Sequence, residues 1–384
     1  MSFEIIDHLI ELGARVVGSD QEKKAGDYLY NKFSQILDKT KIQEFNFLGW
    51  YLKEKSKLKI LKPVIQREID FGVIVYSKPI REEIVGYLEF LGTPPVSSNN
   101  EKLGMPKFVV KNENNEEISY VYANVSVNCL KGVPMANPYH PIIYFNLPSI
   151  VIGKEDFIFL KKLIKGNKKI KISFNYKAQY DYNARTKNII SEVDSISKRS
   201  IVIAAHYDSV SNCPGAFDNA SGVQCMFNLM QFFSKEKPKK KIVFIATAGE
   251  ESGWLGSYYY LNKCIELDIL KNIDCFICID GIGENKNLDI KASPYKLAED
   301  IKEQILNFDA GKLFKKENIT PMLPTKCVDS WPFYKEGIPV IFLENSPFMN
   351  WHLPEDNTYS KRSLNYFTDF YIHYIDRLIN HSIL

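Results

Sequence analysis

The chain has 384 residues, 45% of them apolar and 25% charged, a globular balance that excludes wholesale disorder. At ~150 residues per domain, this length suggests two or three domains, or one large domain with an insertion. Lys and Arg number 49 against 46 Asp and Glu, a net charge of +3, which is too even for a protein that coats nucleic acid. No apolar run reaches the ~18–20 residues of a membrane-spanning helix, so no membrane partner is expected. The N-terminal stretch is interrupted by acids and lacks the basic start of a signal peptide. The seven cysteines are an odd count, and reduced thiols in a cytoplasmic protein are the simplest account of them.

Two helices open the chain. Ile5, Leu9 and Leu12 share one helical face. A second helix starts at the capping-box pattern Ser19-Asp-Gln-Glu22 and runs through Ala25, Tyr28, Leu29, Phe33 and Leu37. From about residue 42 to 190 the texture becomes β-rich, with strand-like runs at Phe71–Tyr76, Ile84–Phe90 and Lys107–Lys111. Gly, Pro and Asn clusters separate them, notably Gly92–Asn100. The strand-like Pro148–Gly153 precedes a helix over Glu155–Ile164.

After residue 200, apolar strands alternate with amphipathic helices. Ser200–Ala205 is a buried-strand run, and Val223, Met226, Phe227, Met230 and Phe233 trace one helix face. The strand Lys241–Ala246, a helix through Tyr258 to Lys263, and a strand over residues 275–280 come next. Last come the strand Ile338–Leu343 and a terminal helix through Leu364, Phe367, Tyr371, Tyr374 and Leu378. This alternation indicates an α/β fold, a mostly parallel central sheet with helices on both faces. A smaller β-rich domain is inserted into it. In such sheets, sites form at the carboxyl ends of the strands.

Two motifs carry less than they suggest. Cys275-Phe-Ile-Cys278 lies in a strand-like run, where residues three apart point to opposite faces and cannot chelate one metal. The basic stretch Lys235–Lys241 is short and sits between a helix and a strand, as a solvated loop would. There is no P-loop, no G-x-G-x-x-G opening a helix, and no G-x-S-x-G elbow.

Three strand runs end in metal-ligand chemistry. The first delivers His206-Tyr-Asp208, and Gly215-Ala-Phe-Asp218-Asn219-Ala-Ser-Gly222 comes soon after at a helix start. The second ends in Ala248-Gly-Glu250-Glu251 and the third in Asp280-Gly-Ile-Gly283. After the strand ending at Leu343 comes Trp351-His352-Leu-Pro-Glu-Asp356. One acid after a strand is usually a cap or a solvated loop residue. Two histidines and three carboxylates at one sheet edge instead suit a pair of zinc ions about 3.5 to 4 Å apart, with one carboxylate bridging. Cobalt or manganese could occupy the same ligand set.

These segments, in order and spacing, resemble the co-catalytic zinc aminopeptidases, a family that includes bacterial leucyl-type aminopeptidases, glutamate carboxypeptidase and the transferrin receptor. Val328-Asp-Ser-Trp-Pro-Phe333 resembles a further segment of it. The resemblance implies that His206 and Asp280 hold one Zn2+, that Glu251 and His352 hold the other, and that Asp218 bridges them. It further implies that Asp208 orients His206, that Glu250 is the general base acting on a metal-bridging water, and that the Asp218–Asn219 bond is cis. The implied activity is hydrolysis of the N-terminal peptide bond of peptides with a free N-terminus. Residues Leu147–Phe157, with the helix and strand after them, resemble the end of a protease-associated domain. That organisation divides the chain into a discontinuous peptidase domain, residues 1–45 and 180–384, around an insert at 46–179. Carboxypeptidase or dipeptidase chemistry on the same scaffold, a single-zinc glutaminyl cyclase and a non-catalytic receptor-like protein are the alternatives. The first would need a basic pocket for a terminal carboxylate, and the last two would have lost ligands. Nothing in the sequence sets an oligomeric state.

Overall fold

The computed structural model describes residues 3–93, 105–125, 146–166, 169–283, 287–309, 313–325, 328–346 and 350–380. The Gly92–Asn100 cluster from residue 94 onward, and Cys129, Cys327, His140 and His381, lie outside the described residues. Two compact units make up the chain. Met1–Phe47, Arg185–Glu250 and Trp254–Leu384 form the first, and Leu48–Ala184 with Glu251–Gly253 form the second.

The first sheet has eight strands. Their order across it is Thr40–Lys55, Tyr176–Val193, Lys241–Thr247, Ser200–His206, Ile273–Ile279, Val340–Ser346, Asn287–Ser293 and Ile319–Met322. Only the central four, from Lys241–Thr247 to Val340–Ser346, form a continuous parallel block. Tyr176–Val193 and Asn287–Ser293 flank it antiparallel. The sheet is therefore mixed, which corrects the mostly parallel expectation outside its centre. Buried apolar runs report that a strand is covered on both faces, not which way it runs.

Register brings the strand ends together. His206 pairs with Thr247, Ala204 with Cys278, and Ile279 with Leu343. Two residues beyond Ala204 along the Ser200–His206 strand, His206 comes level with Asp280 at the carboxyl edge. Val202, Ala204, Phe276, Cys278, Val340 and Phe342 pack on one face with Tyr260, Leu261 and Phe333, and Phe276 stacks on Phe333 at 4.1 Å. The alternate residues Ile201, Ile203 and Ala205 point the other way. The helix Ser221–Phe233 packs on these strands and on the terminal helix Lys361–Asn380.

The Leu48–Ala184 unit carries a second eight-stranded sheet. It is antiparallel apart from one parallel pair, Glu117–Ala123 with Ser149–Ile152. The helix Lys154–Lys165 comes after that pair, and its Phe157 and Leu160 join a core with Phe108, Val110, Ile150 and Phe174. The run Phe71–Tyr76 yields only the two-residue strand Gly72–Val73, because the chain turns at Tyr76 with φ +62°. Cys275 and Cys278 are buried on the strand Ile273–Ile279, and the five described cysteines are all buried, with no disulfide among them. Residues 235–237 and 239 are exposed in the loop after Ser221–Phe233. No described helix is long and apolar enough to cross a membrane.

The opening helices match their sequence signals with one change. Ser19 Oγ accepts from Glu22 N at 3.2 Å, capping the helix Asp20–Ser34. Glu22 does not close the capping box onto Ser19. It accepts from Gly18 N with one oxygen, and from Thr186 Oγ1 at 2.6 Å and Tyr207 Oη with the other. Burial pushes the Glu22 carboxyl up to about 7, against the pull of the Thr186 and Tyr207 hydroxyls. The folded chain therefore holds this proton more tightly than the unfolded chain. The stability that results is fully present below about pH 4.5 and is lost as pH rises through about 7. Glu22→Gln removes the titration. Its stability relative to the parent should rise by about 2–3 kcal/mol between pH 5 and pH 8. Urea denaturation of both proteins at the two pH values measures this, and parallel stability curves would refute it.

Candidate metal centre

Each side chain of the site is delivered by a strand end or by the turn after it. His206 is the last residue of its strand, Asp280 comes directly after Ile279, and Glu250 and Glu251 lie beyond Thr247 after a turn through Gly249. Asp218 sits in the tight turn Ala216–Ala220 that enters the helix Ser221–Phe233. The Asp218–Asn219 bond is cis, as the resemblance implied. Asn219 Nδ2 donates to Ile279 O at 2.9 Å and its Oδ1 accepts from Gly222 N at 3.0 Å, tying the turn to the neighbouring strand end. A Cβ on Gly222 would lie 2.2 Å from Ile279 O, so only glycine permits this approach.

Two clusters of ligand atoms result. His206, Asp218 and Asp280 form one, and Asp218, Glu251 and His352 form the other. The five sequence-derived ligands all fall in these clusters, and Asp218 belongs to both. Its Oδ1 lies 3.1 Å from His206 Nε2, and its Oδ2 lies 3.4 Å from His352 Nε2. Asp280 Oδ1 is 3.5 Å from His206 Nε2. All five are buried. Glu250 is equally buried beside Glu251 yet belongs to neither cluster.

The electrostatics reflect this crowding. Burial alone would lower the His206 imidazole, but Asp280, Asp208 and Asp218 hold it well above its ordinary value. Burial would likewise raise Asp218, but His206 and His352 hold its carboxyl far below the usual range. Asp280 goes the other way, with burial raising it despite His206.

Asp208 contacts both His206 and the Glu250 turn. Its backbone carbonyl lies 3.2 Å from His206 Nδ1, and its carboxylate Oδ1 is 3.6 Å away. That Oδ1 also accepts from Gly249 N at 2.9 Å and Glu250 N at 3.1 Å. Asp208 thus lies against His206 with both its main chain and its carboxylate, and the carboxylate also holds the Glu250 turn. A carbonyl only accepts, so this contact places a proton on Nδ1 and aims Nε2 at Asp218 and Asp280. Nε2 is buried with no well-aligned hydrogen bond, facing two carboxylate oxygens. A cation among these three groups satisfies all of them. Imidazole and carboxylate donors fit zinc.

Further supporting groups carry no role in the sequence reading. Asp356 accepts from Phe217 N at 2.8 Å and Asp218 N at 3.2 Å, so the turn bearing His352 is bonded to the turn bearing Asp218. Burial first, and the neighbouring Asp218 charge, push its carboxyl up to about 7 against those two N–H donors. Asp329 accepts from the Thr247 and Ser257 hydroxyls on either side of the Glu250 turn. Asn188 brackets the same turn, accepting from Ala248 N and donating to Gly256 O. Trp351 Nε1 donates to Asp218 Oδ2 at 2.6 Å, and its ring stacks on His352 at 4.0 Å. Asp329 and Asp356 lie within Val328–Phe333 and Trp351–Asp356, and that position is the one sequence signal by which they could have been found.

Known proteins share this fold. Aminopeptidase YwaD from Bacillus subtilis is 24% identical over 300 residues, 73% of this chain, and the chain spans 61% of that relative's length. The structure of BSAP, a zinc aminopeptidase from Bacillus subtilis, superposes with a TM-score of 0.71 at 20% identity, covering 98% of this chain and 94% of that one. A peptidase M28 precursor from Shewanella amazonensis gives a TM-score of 0.76 at 18% identity over 99% of this chain and 93% of its own. At such identities these superpositions establish a common fold. Residues 188–375, which contain all seven sequence-derived site residues, match the model of peptidase family M28.

Proposed function

We propose that the chain is a di-zinc aminopeptidase. The observation that carries this reading is Asp218, one carboxylate shared by two buried ligand clusters, each completed by a histidine and a second acid. His206 and Asp280 would hold one zinc, Glu251 and His352 the other, and Asp218 both. When bound, such a pair supplies Lewis-acid polarisation of a peptide carbonyl and acidification of water. The chain supplies the proton transfers. Glu250 lies outside both clusters and keeps its carboxylate for a substrate-side proton. It takes that proton from the attacking water and delivers it to the leaving amine nitrogen. Asp208 fixes the Glu250 main chain through its amide and so sets where that carboxylate stands.

Exopeptidase polarity rests on two supports. YwaD and BSAP, two of the similar proteins, are described as aminopeptidases. A carboxypeptidase would need a cation for the terminal carboxylate, and Arg15, the one buried Lys or Arg among the described residues, spends its donors on backbone carbonyls. The substrates are then peptides with a free N-terminus. We read the β-rich Leu48–Ala184 unit as a protease-associated-like insert. The buried cysteines, with no disulfide among those described, suit a cytoplasmic enzyme.

Glu250→Gln should keep zinc at the parent stoichiometry, about two ions per chain by elemental analysis. Its kcat should fall about 10²–10⁴-fold; turnover near the parent level would remove Glu250 from the base role. Peptides with free N-termini should be cleaved and their N-acetylated forms spared. Release of C-terminal residues from the blocked set would replace the aminopeptidase reading with a carboxypeptidase.

A further inference from the structure

Arg15 precedes the family match by more than 170 residues, yet its side chain ends beneath the candidate metal centre. It is fully buried and forms no ion pair among the described residues. Its guanidinium is spent on main-chain carbonyls. Nε donates to Tyr207 O at 2.7 Å, Nη1 to Leu9 O, Gly13 O and Pro214 O, and Nη2 to Gly215 O at 3.3 Å. The backbone joins in, because Arg15 N donates to Ser209 Oγ at 2.9 Å and Ser209 N returns a bond to Arg15 O at 3.2 Å. Ser209 Oγ then donates to Cys213 O at 2.9 Å.

These acceptors share a location. Tyr207, Pro214 and Gly215 bracket the segment that joins His206 and Asp208 to Asp218. That segment belongs to no helix or strand until residue 216, and beyond Tyr207 N, which donates to Thr247 O, it leaves the sheet. At its end Gly215 takes φ +62°, and a Cβ there would meet Asp218 O at 2.3 Å. The backbones of Gly215 and Asp218 are therefore in direct contact, and whatever fixes the first fixes the second. Burial lowers the guanidinium to about 10 against the pull of the Cys213, Asp208, Asp356 and Asp218 charges, so it stays cationic at neutral pH.

We propose that Arg15 is a positioning residue for the metal centre, setting the path of residues 207–215 and thereby the separation of Asp218 from His206. The proposal rests on reading the site as a zinc site. A lysine would keep the charge, but its single ammonium cannot reach both ends of the segment as a planar fork does. The segment should then relax while the rest of the fold remains.

Zinc affinity, measured by competition with a chromogenic chelator, reads this directly. Arg15→Lys and Ser209→Ala are compared with the parent, each metal-stripped and melted first. Arg15→Lys should bind zinc about 10-fold or more weakly, with kcat lowered and KM within about twofold. Ser209→Ala, which loses one anchor, should weaken binding about threefold by the same logic. A structural role alone would lower the metal-free melting temperature and leave zinc affinity intact in the folded fraction. Parent-like affinity in both variants overturns the role of Arg15. If Arg15→Lys fails to fold, Ser209→Ala decides alone, and unchanged affinity there overturns the proposal. A parent chain that binds no zinc overturns the zinc reading itself, and this proposal with it.

Discussion

Everything at the carboxyl edge of the central strands answers to one constraint, the burial of like charge. Asp208, Asp218, Glu250, Glu251 and Asp280 are each less than a tenth exposed, and Asp329 and Asp356 join them. An unpaired buried carboxylate costs several kcal/mol even after relaxation. The fold meets that cost with fixed donors. Main-chain N–H groups of residues 217, 218, 249 and 250 and the hydroxyls of Thr247 and Ser257 all point at carboxylates. A hydrogen bond to a charged group contributes about 1.5–3 kcal/mol. The oxygens so satisfied belong to Asp208, Asp329 and Asp356, three acids outside both ligand clusters. Of the cluster acids, Asp218 takes one donor from Trp351 Nε1 and otherwise faces His206 and His352.

The parallel block turns that constraint into a site. Four strands running the same way finish at one edge, so residues 206, 251, 280 and 352 are brought around Asp218 without any sequence proximity. Antiparallel neighbours on both flanks close the block without adding a ligand. The turns then make the final adjustment. Gly222 lets the Asp218 turn lie against Ile279 O, and Asn219 locks it there.

The candidate ligands were legible because each is a chemically distinctive residue at or soon after the end of an apolar run. Strand ends can be read from a sequence, and His, Asp and Glu at several of them narrow the chemistry sharply. Strand direction was not legible, since Ile190 and Leu343 are buried in the same way whether their neighbours run parallel or antiparallel. The Phe71–Tyr76 run shows a second limit. Its apolar pattern fits a strand, but Tyr76 sits at positive φ with its hydroxyl bonded to Leu48 O, a tertiary demand that composition cannot display. Arg15 left no trace, because its partners are backbone carbonyls and any sequence supplies those.

The long separation between Arg15 and the segment it holds has a structural reason. Arg15 and Tyr207 are 192 positions apart, and closing a flexible loop of that length would cost more than closing a short one, though only ~0.6 kcal/mol for each doubling. The chain leaves the first unit along Thr40–Lys55 and returns along Tyr176–Val193, and these two strands are neighbours in one sheet. Exit and entry are therefore already side by side, held by sheet pairing rather than by the intervening residues. Whatever the intervening chain forms, the N-terminal helices meet the 207–215 segment at a distance the sheet has set. A peptidase site can then depend on a cation from the far end of the sequence without its geometry depending on the size of what lies between.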